Sequence, residues 1–174
     1  LCVVTIFPRV ASATIIAGGT IANATWTPAG NPYIVQGDVT ILNGGTLTIQ
    51  AGTIVQFPGG DTQAAGLDTA KTEITVKGTL NVNGTAASPV QFLAQNGSAQ
   101  STWYGIVVDA VGTAATISHA SIKHSFASIR SDAPGMVLAA NDVSMETTYY
   151  GLYLTAGTPT FKNLGVQGSV YGAW

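Results

Sequence analysis

Between Tyr33 and Phe57, apolar residues alternate with Thr, Gln and Asn in short runs broken by glycine: Val39-Thr40-Ile41, Thr46-Leu47-Thr48-Ile49 and Thr53-Ile54-Val55-Gln56-Phe57. Alternation with period two marks half-buried strands. It puts Val39, Ile41, Leu47, Ile49, Val55 and Phe57 inside, and Thr40, Thr46, Thr48 and Gln56 outside. The pattern then returns. Ile74-Thr75-Val76 answers Val39-Thr40-Ile41, Thr79-Leu80-Asn81-Val82 answers Thr46 to Ile49, and Val90-Gln91-Phe92 duplicates Val55-Gln56-Phe57, with corresponding positions 33 to 35 apart. Further on, an aromatic, a small residue and an aliphatic recur as Trp103-Tyr104-Gly105-Ile106, Phe126-Ala127-Ser128-Ile129, Tyr149-Tyr150-Gly151-Leu152 and, degenerate, Val170-Tyr171-Gly172-Ala173. Their small residues are 23, 23 and 21 positions apart.

A fixed period in the low twenties, without helix-forming residues, predicts a solenoid of stacked coils. The longer early spacing is explained by a loop between Pro58 and Thr72 that bulges from one corner. Each repeat holds about three short strands, and their connections are too short for crossover helices. The solution is a chain that coils, each strand pairing in parallel with its copy one turn later: an all-β, right-handed parallel β-helix with rungs of about 21–23 residues. Gly105, Ser128, Gly151 and Gly172 are expected to form one column at a tight corner.

The stretches Thr25-Trp26-Thr27, Pro32 to Ile41 and Gly45 to Phe57, continued by Val76-Lys77-Gly78-Thr79-Leu80-Asn81-Val82-Asn83-Gly84 and ending at Trp103-Tyr104-Gly105-Ile106, resemble bacterial secreted right-handed parallel β-helix proteins of the pectate-lyase-like superfamily. The resemblance covers roughly residues 20 to 174. It implies fold and secretion but no single activity, since that superfamily holds adhesins, surface proteins, phage tailspikes and polysaccharide-cleaving enzymes. No catalytic motif of its lyases or galacturonases is visible.

Composition narrows the picture. Charged residues make up 8% and hydrophobic residues 46% of the 174 positions, so Thr, Ser, Asn, Gln and Gly must supply the polar surface, as in β-rich secreted proteins. Leu1-Cys2-Val3-Val4-Thr5-Ile6-Phe7, a break at Pro8, and Ala11-Ser12-Ala13 resemble the end of a secretory signal peptide. The expected divisions are a signal-peptide remnant over 1–13, an N-terminal capping segment over 14–38, and the parallel β-helix over 39–174. Trp174 falls inside the fourth landmark, which suggests a truncated last rung. Cleavage after Ala13 would leave five Lys/Arg against eight Asp/Glu and no cysteine, hence no disulfide. Such a balance argues against nucleic acid, and no run reaches a membrane span.

The repeat also stacks candidate chemistry. His119, Asp142 and Asn163 share a column, as a general base with its orienting partner, as two metal ligands, or as a polar ladder at a corner; the ladder is the expectation. Lys123 and Glu146 should form a surface ion pair. His124 shares its column with Thr147 and Gly168 and has no acidic partner. Arg130 with Asp132, and Asp109 one rung earlier, could form a cluster on one face. The aromatics Trp103, Tyr104, Tyr149, Tyr150, Tyr153, Tyr171 and Trp174 are expected mainly in the core, with an outward row as a sugar-stacking alternative. No cofactor or metal-ligand set is indicated. The expected function is a non-enzymatic extracellular structural or adhesive module. Its partners would be polysaccharide, other surface proteins or further copies stacked end to end. The alternative is a polysaccharide lyase or glycoside hydrolase, with His119, Asp142, Asp109, Arg130 and Asp132 as its catalytic candidates.

Overall fold

A computed structural model describes residues 12–110 and 113–174. The expected signal-peptide remnant therefore lies outside the described residues as far as position 11. Fifteen strands follow in order: β1 Thr14–Ile16, β2 Gly19–Trp26, β3 Tyr33–Val35, β4 Val39–Gln50, β5 Ile54–Phe57, β6 Glu73–Val76, β7 Thr79–Asn83 and β8 Val90–Ala94. Then come β9 Trp103–Val108, β10 Ala114–Lys123, β11 Ser125–Ser131, β12 Val137–Glu146, β13 Tyr150–Leu154, β14 Thr160–Gln167 and β15 Tyr171–Ala173.

All the pairings between these strands are parallel, and they sort into three faces of a prism. One face stacks the first part of β2, the first part of β4, β6, β9, β11, β13 and β15. The second stacks the latter part of β2, the latter part of β4, β7 and the first halves of β10, β12 and β14. The third stacks β1, β3, β5, β8 and the second halves of β10, β12 and β14. This is a parallel β-helix. Segment 14–38, expected as a cap, carries β1, β2 and β3, each paired in parallel with the strand one coil later.

The interior is built from columns of like residues. Val39, Ile74, Ile106 and Ile129 line the first face; Leu47, Leu80, Ala115 and Leu138 the second; Val55, Phe92, Ile122 and Met145 the third; all are buried. Parallel in-register stacking makes the neighbour of a core residue its own counterpart one coil on, so keeping size constant along a column keeps every layer filled. Trp103 enters this core completely. Its ring lies 3.9 Å from Phe57 at an interplanar angle of 3°, and 6.3 Å from Phe92. The buried indole N–H donates to the Lys123 carbonyl at 2.8 Å.

Two registers differ from the sequence expectation. On the third face Val55 pairs with Phe92, not Val90. The turn closed by Thr85 and Ser88 lengthens that corner, and a shift of two residues keeps Val90 and Phe92 facing inward. On the first face Gly105 pairs with Ala127, not Ser128, because the register slips between Ala127 and Ile129. Ser128, Gly151 and Gly172 do fall in one column, but within strands rather than at a corner. What these glycines permit is close approach of the next coil. A Cβ on Gly105, where φ is 145°, would lie 1.6 Å from the Ala127 carbonyl oxygen, and one on Gly151 would lie 2.5 Å from that of Gly172.

The loop from Pro58 to Thr72 does not merely bulge outward. It folds back over the outside of the first face, and residues just beyond it, Glu73 and Thr75, are buried on that side at 2% and 7% exposure.

Candidate functional site

The corner between the second and third faces is turned by His119, Asp142 and Asn163, with φ of 49°, 55° and 52°. Each interrupts its strand where the backbone enters the left-handed region, which Asn, Asp and His tolerate better than other L-residues. Stacking of the corner then aligns the side chains. His119 Nε2 lies 3.5 Å from Asp142 Oδ2, and Asn163 Nδ2 donates to Asp142 Oδ1 at 2.8 Å. The column is the polar ladder expected from the period. It borders a shallow cleft of about 320 Å³ whose other lining includes Thr85, Pro89, Ser121, Ser144 and Gly165. Small side chains on the third face form the floor. Outside the cleft lining, Lys123 Nζ meets Glu146 Oε2 at 2.8 Å, the expected ion pair.

One imidazole beside one carboxylate can exchange a proton, but Asp142 already accepts from Asn163, and the third rung offers an amide rather than a second carboxylate. Glycoside hydrolysis requires two carboxyls flanking the bond. Among the described residues no group of three or more His, Cys, Asp or Glu is placed to hold a metal ion.

The second left-handed corner carries His124, Thr147 and Gly168, with φ of 63°, 52° and 65°. His124 Nδ1 accepts the Ala94 N–H at 3.3 Å. Burial, with the Lys123 charge beside it, lowers its pKa below the usual imidazole value despite Glu146.

Arg130 and Asp132 do come together, with Nε to Oδ2 at 2.6 Å. The guanidinium also donates to the Tyr104 hydroxyl and lies 4.8 Å from the centre of the Tyr153 ring. Thr155 Oγ1 donates to the remaining oxygen of Asp132 at 2.8 Å. Burial opposes the charge on Arg130, but the hydrogen bond to Asp132 and the neighbouring Tyr104 outweigh it, and its pKa is raised. Tyr104 is raised as well, mainly by burial, with Arg130 pulling the other way. Asp109 lies one coil before Asp132 and is exposed; among the described residues no hydrogen bond or ion pair draws its carboxylate into the cluster.

The aromatics depart from the expected core placement. Of the set, only Trp103 and Tyr104 are buried; Tyr149, Tyr150 and Tyr153 are half-buried, and Tyr171 and Trp174 are exposed. Inner positions of β11 and β13 are taken by Ile129 and Leu152, so the rings gather outside. Tyr149 precedes β13, where strict alternation does not yet hold, and both it and Tyr150 join this outer group. Phe126 stacks on Tyr149 at 5.3 Å and 8°, and Tyr150 on Tyr171 at 5.1 Å and 16°. Tyr104 meets Phe126 at 5.4 Å, tilted by 37°. These rings turn their faces to one another, so the group ties coils together more than it offers open faces to a sugar.

A further pair escaped notice in the sequence. Asp38 and Glu73 are buried together beneath the Pro58–Thr72 loop. A signal existed: Val39 stacks on Ile74, so the residues preceding them are also neighbours.

Among the described residues no helix is long and apolar enough to cross a membrane. Comparison with curated proteins and with solved structures finds no match. The family model of the pectate-lyase-like β-helix domain matches residues 19–167, which is most of the chain and includes every coil that carries the cleft and the ladder; the protein belongs to that family.

Proposed function

We propose that this chain is an extracellular structural or adhesive β-helix module that binds polysaccharide in the His119–Ser144 cleft without cleaving it. The observation that carries this reading is that nearly every candidate catalytic group is already engaged in holding coils together. Asp142 is bound by Asn163, Arg130 by Asp132 and two tyrosines, and Asp132 by Thr155. A base or an acid must be free to take or give its proton, and a neutraliser must be free to meet the substrate carboxylate. The cleft supports binding instead. It is open, floored by Ser121, Ser144 and Gly165, and bordered by the Asn163 amide, the His119 imidazole and the Asp142 carboxylate, a mixture suited to hydroxyl-rich chains. Low charge, which leaves Thr, Ser, Asn, Gln and Gly to supply the polar surface, and the family support an extracellular setting.

The test is incubation of the chain with pectate, alginate and host glycans, with and without Ca²⁺. No new reducing ends and no unsaturated products should form. Retention on the immobilised glycan that binds should be lost in Ser144→Phe, which fills the cleft. His119 beside Asp142 at the cleft rim favours one second reading, a carbohydrate-active enzyme. Turnover abolished by His119→Ala would establish it and overturn the first.

A further inference from the structure

Asp38 and Glu73 occupy an unusual place for two acids. Asp38 is 5% exposed and Glu73 2%. Asp38 Oδ1 accepts the Glu73 N–H at 2.8 Å, Glu73 Oε2 accepts the Leu67 N–H at 3.0 Å, and Glu73 Oε1 accepts the Thr75 hydroxyl at 2.7 Å. Asp38 Oδ2 is buried and has no partner. A Cβ on Gly66 would meet that oxygen at 2.6 Å and Glu73 Oε1 at 2.7 Å, so the loop backbone packs over both carboxyls with no room for a side chain.

The other charged groups do not neutralise them. Asp61, on the loop, accepts the backbone N–H groups of Asp38, Gln63 and Ala65. Asp68, also on the loop, is occupied by Lys71. Tyr104 on β9 faces Glu73 and is engaged by Arg130. Two neighbouring buried carboxylates, with further acids behind them and no ion pair to either among the described residues, cannot both stay ionised without large cost. A metal fits poorly, because the oxygens facing inward are met mainly by N–H and O–H donors rather than by further oxygen ligands. A proton on Asp38 Oδ2 supplies the missing donor.

We propose that a proton on Asp38, buried beside Glu73, is a latch that holds the Pro58–Thr72 loop against the first face in acid and loosens it as that proton is lost. Geometry and titration agree. Burial first, then the charges of Glu73, Asp61 and Asp68, raise Asp38 from 3.8 to about 6, against the lowering effect of the Glu73 N–H. The closed loop therefore binds the proton more tightly than the open loop. Closure is at full strength below the ordinary value, weakens as pH climbs, and has lost the whole contribution above about 6. A shift of that size corresponds to roughly a hundredfold change in the ratio of closed to open loop.

The test is amide hydrogen exchange on the whole chain at pH 4.5 and pH 7.5, corrected for intrinsic rates, with the Ile49 and Val82 amides as core references. Protection at Gln63, Ala65 and Leu67 should fall by up to about thirtyfold between the two pH values, while the references hold. In Asp38→Asn the side-chain amide replaces the proton, and the loop should stay protected at both. In Glu73→Gln one repelling charge is gone, so Asp38 gives up its proton more readily and the loss of protection should move to lower pH. A move to higher pH in that variant would overturn the latch. Loop protection independent of pH in the wild type would also overturn it, as would an unchanged pH dependence in both variants. Restoration of wild-type protection at pH 7.5 by CaCl₂ would overturn it too, by showing a cation site instead.

Discussion

Replacing Trp103 tests whether the coil interior is held by packing around one large ring. Trp103 is fully buried, stacks on Phe57 at 3.9 Å, and satisfies the Lys123 carbonyl through its indole N–H. Truncation to alanine removes the ring, opens a cavity between the first and third faces and leaves that carbonyl unpaired. Large-to-small changes of this kind cost about 3–5 kcal/mol, and the orphaned carbonyl falls at the high end with about 1 kcal/mol more. Trp103→Phe keeps a ring against Phe57 but loses the donor and the second ring, so about 1–2 kcal/mol is expected. Urea denaturation followed by circular dichroism reads both as shifts of the midpoint. Because coils couple mainly to their neighbours, exchange protection should fall first in β5, β8, β9 and β11. An alanine variant within about 1 kcal/mol of wild type would refute the packing account. So would a phenylalanine variant as damaged as the alanine one, since the ring itself would then contribute nothing.

Gly105→Ala should be among the most damaging single changes, because its Cβ would lie 1.6 Å from the Ala127 oxygen at a φ of 145°; a thermal midpoint close to wild type would contradict the register at the bulge. Lys123→Met should change stability by under about 1 kcal/mol in urea titrations, since the ion pair it breaks is a third exposed. His124 sets a pH dependence of opposite sign to that of Asp38. Its folded pKa is depressed, so its share of stability is present above the ordinary imidazole value of 6.5 and is lost as pH falls through the depressed one. Replacement by asparagine, which tolerates the left-handed corner, should flatten the melting temperature over that acidic window.

Much of the architecture was visible in the residues because a β-helix repeats its own environment. When strands pair in parallel with their copies, a column is a period, so the inward set Val39 to Phe57, the ladder His119–Asp142–Asn163 and the pair Lys123–Glu146 all follow from counting. Alternation decides which side faces inward, and burial of the apolar side enforces it. What counting could not reach are the places where the repeat breaks. The slip at Ser128 depends on Gly105 letting the Ala127 carbonyl approach, and the two-residue offset on the third face depends on the turn at Thr85–Ser88. The tyrosines gather outside because aliphatic columns already fill the interior, and the Pro58–Thr72 loop folds inward over Asp38 and Glu73 because its Leu67 N–H finds the Glu73 carboxylate there and its Asp61 carboxylate takes the Asp38 N–H. Those contacts join residues that no period relates, so only the folded chain, weighing clash, burial and hydrogen bonding at once, could decide them.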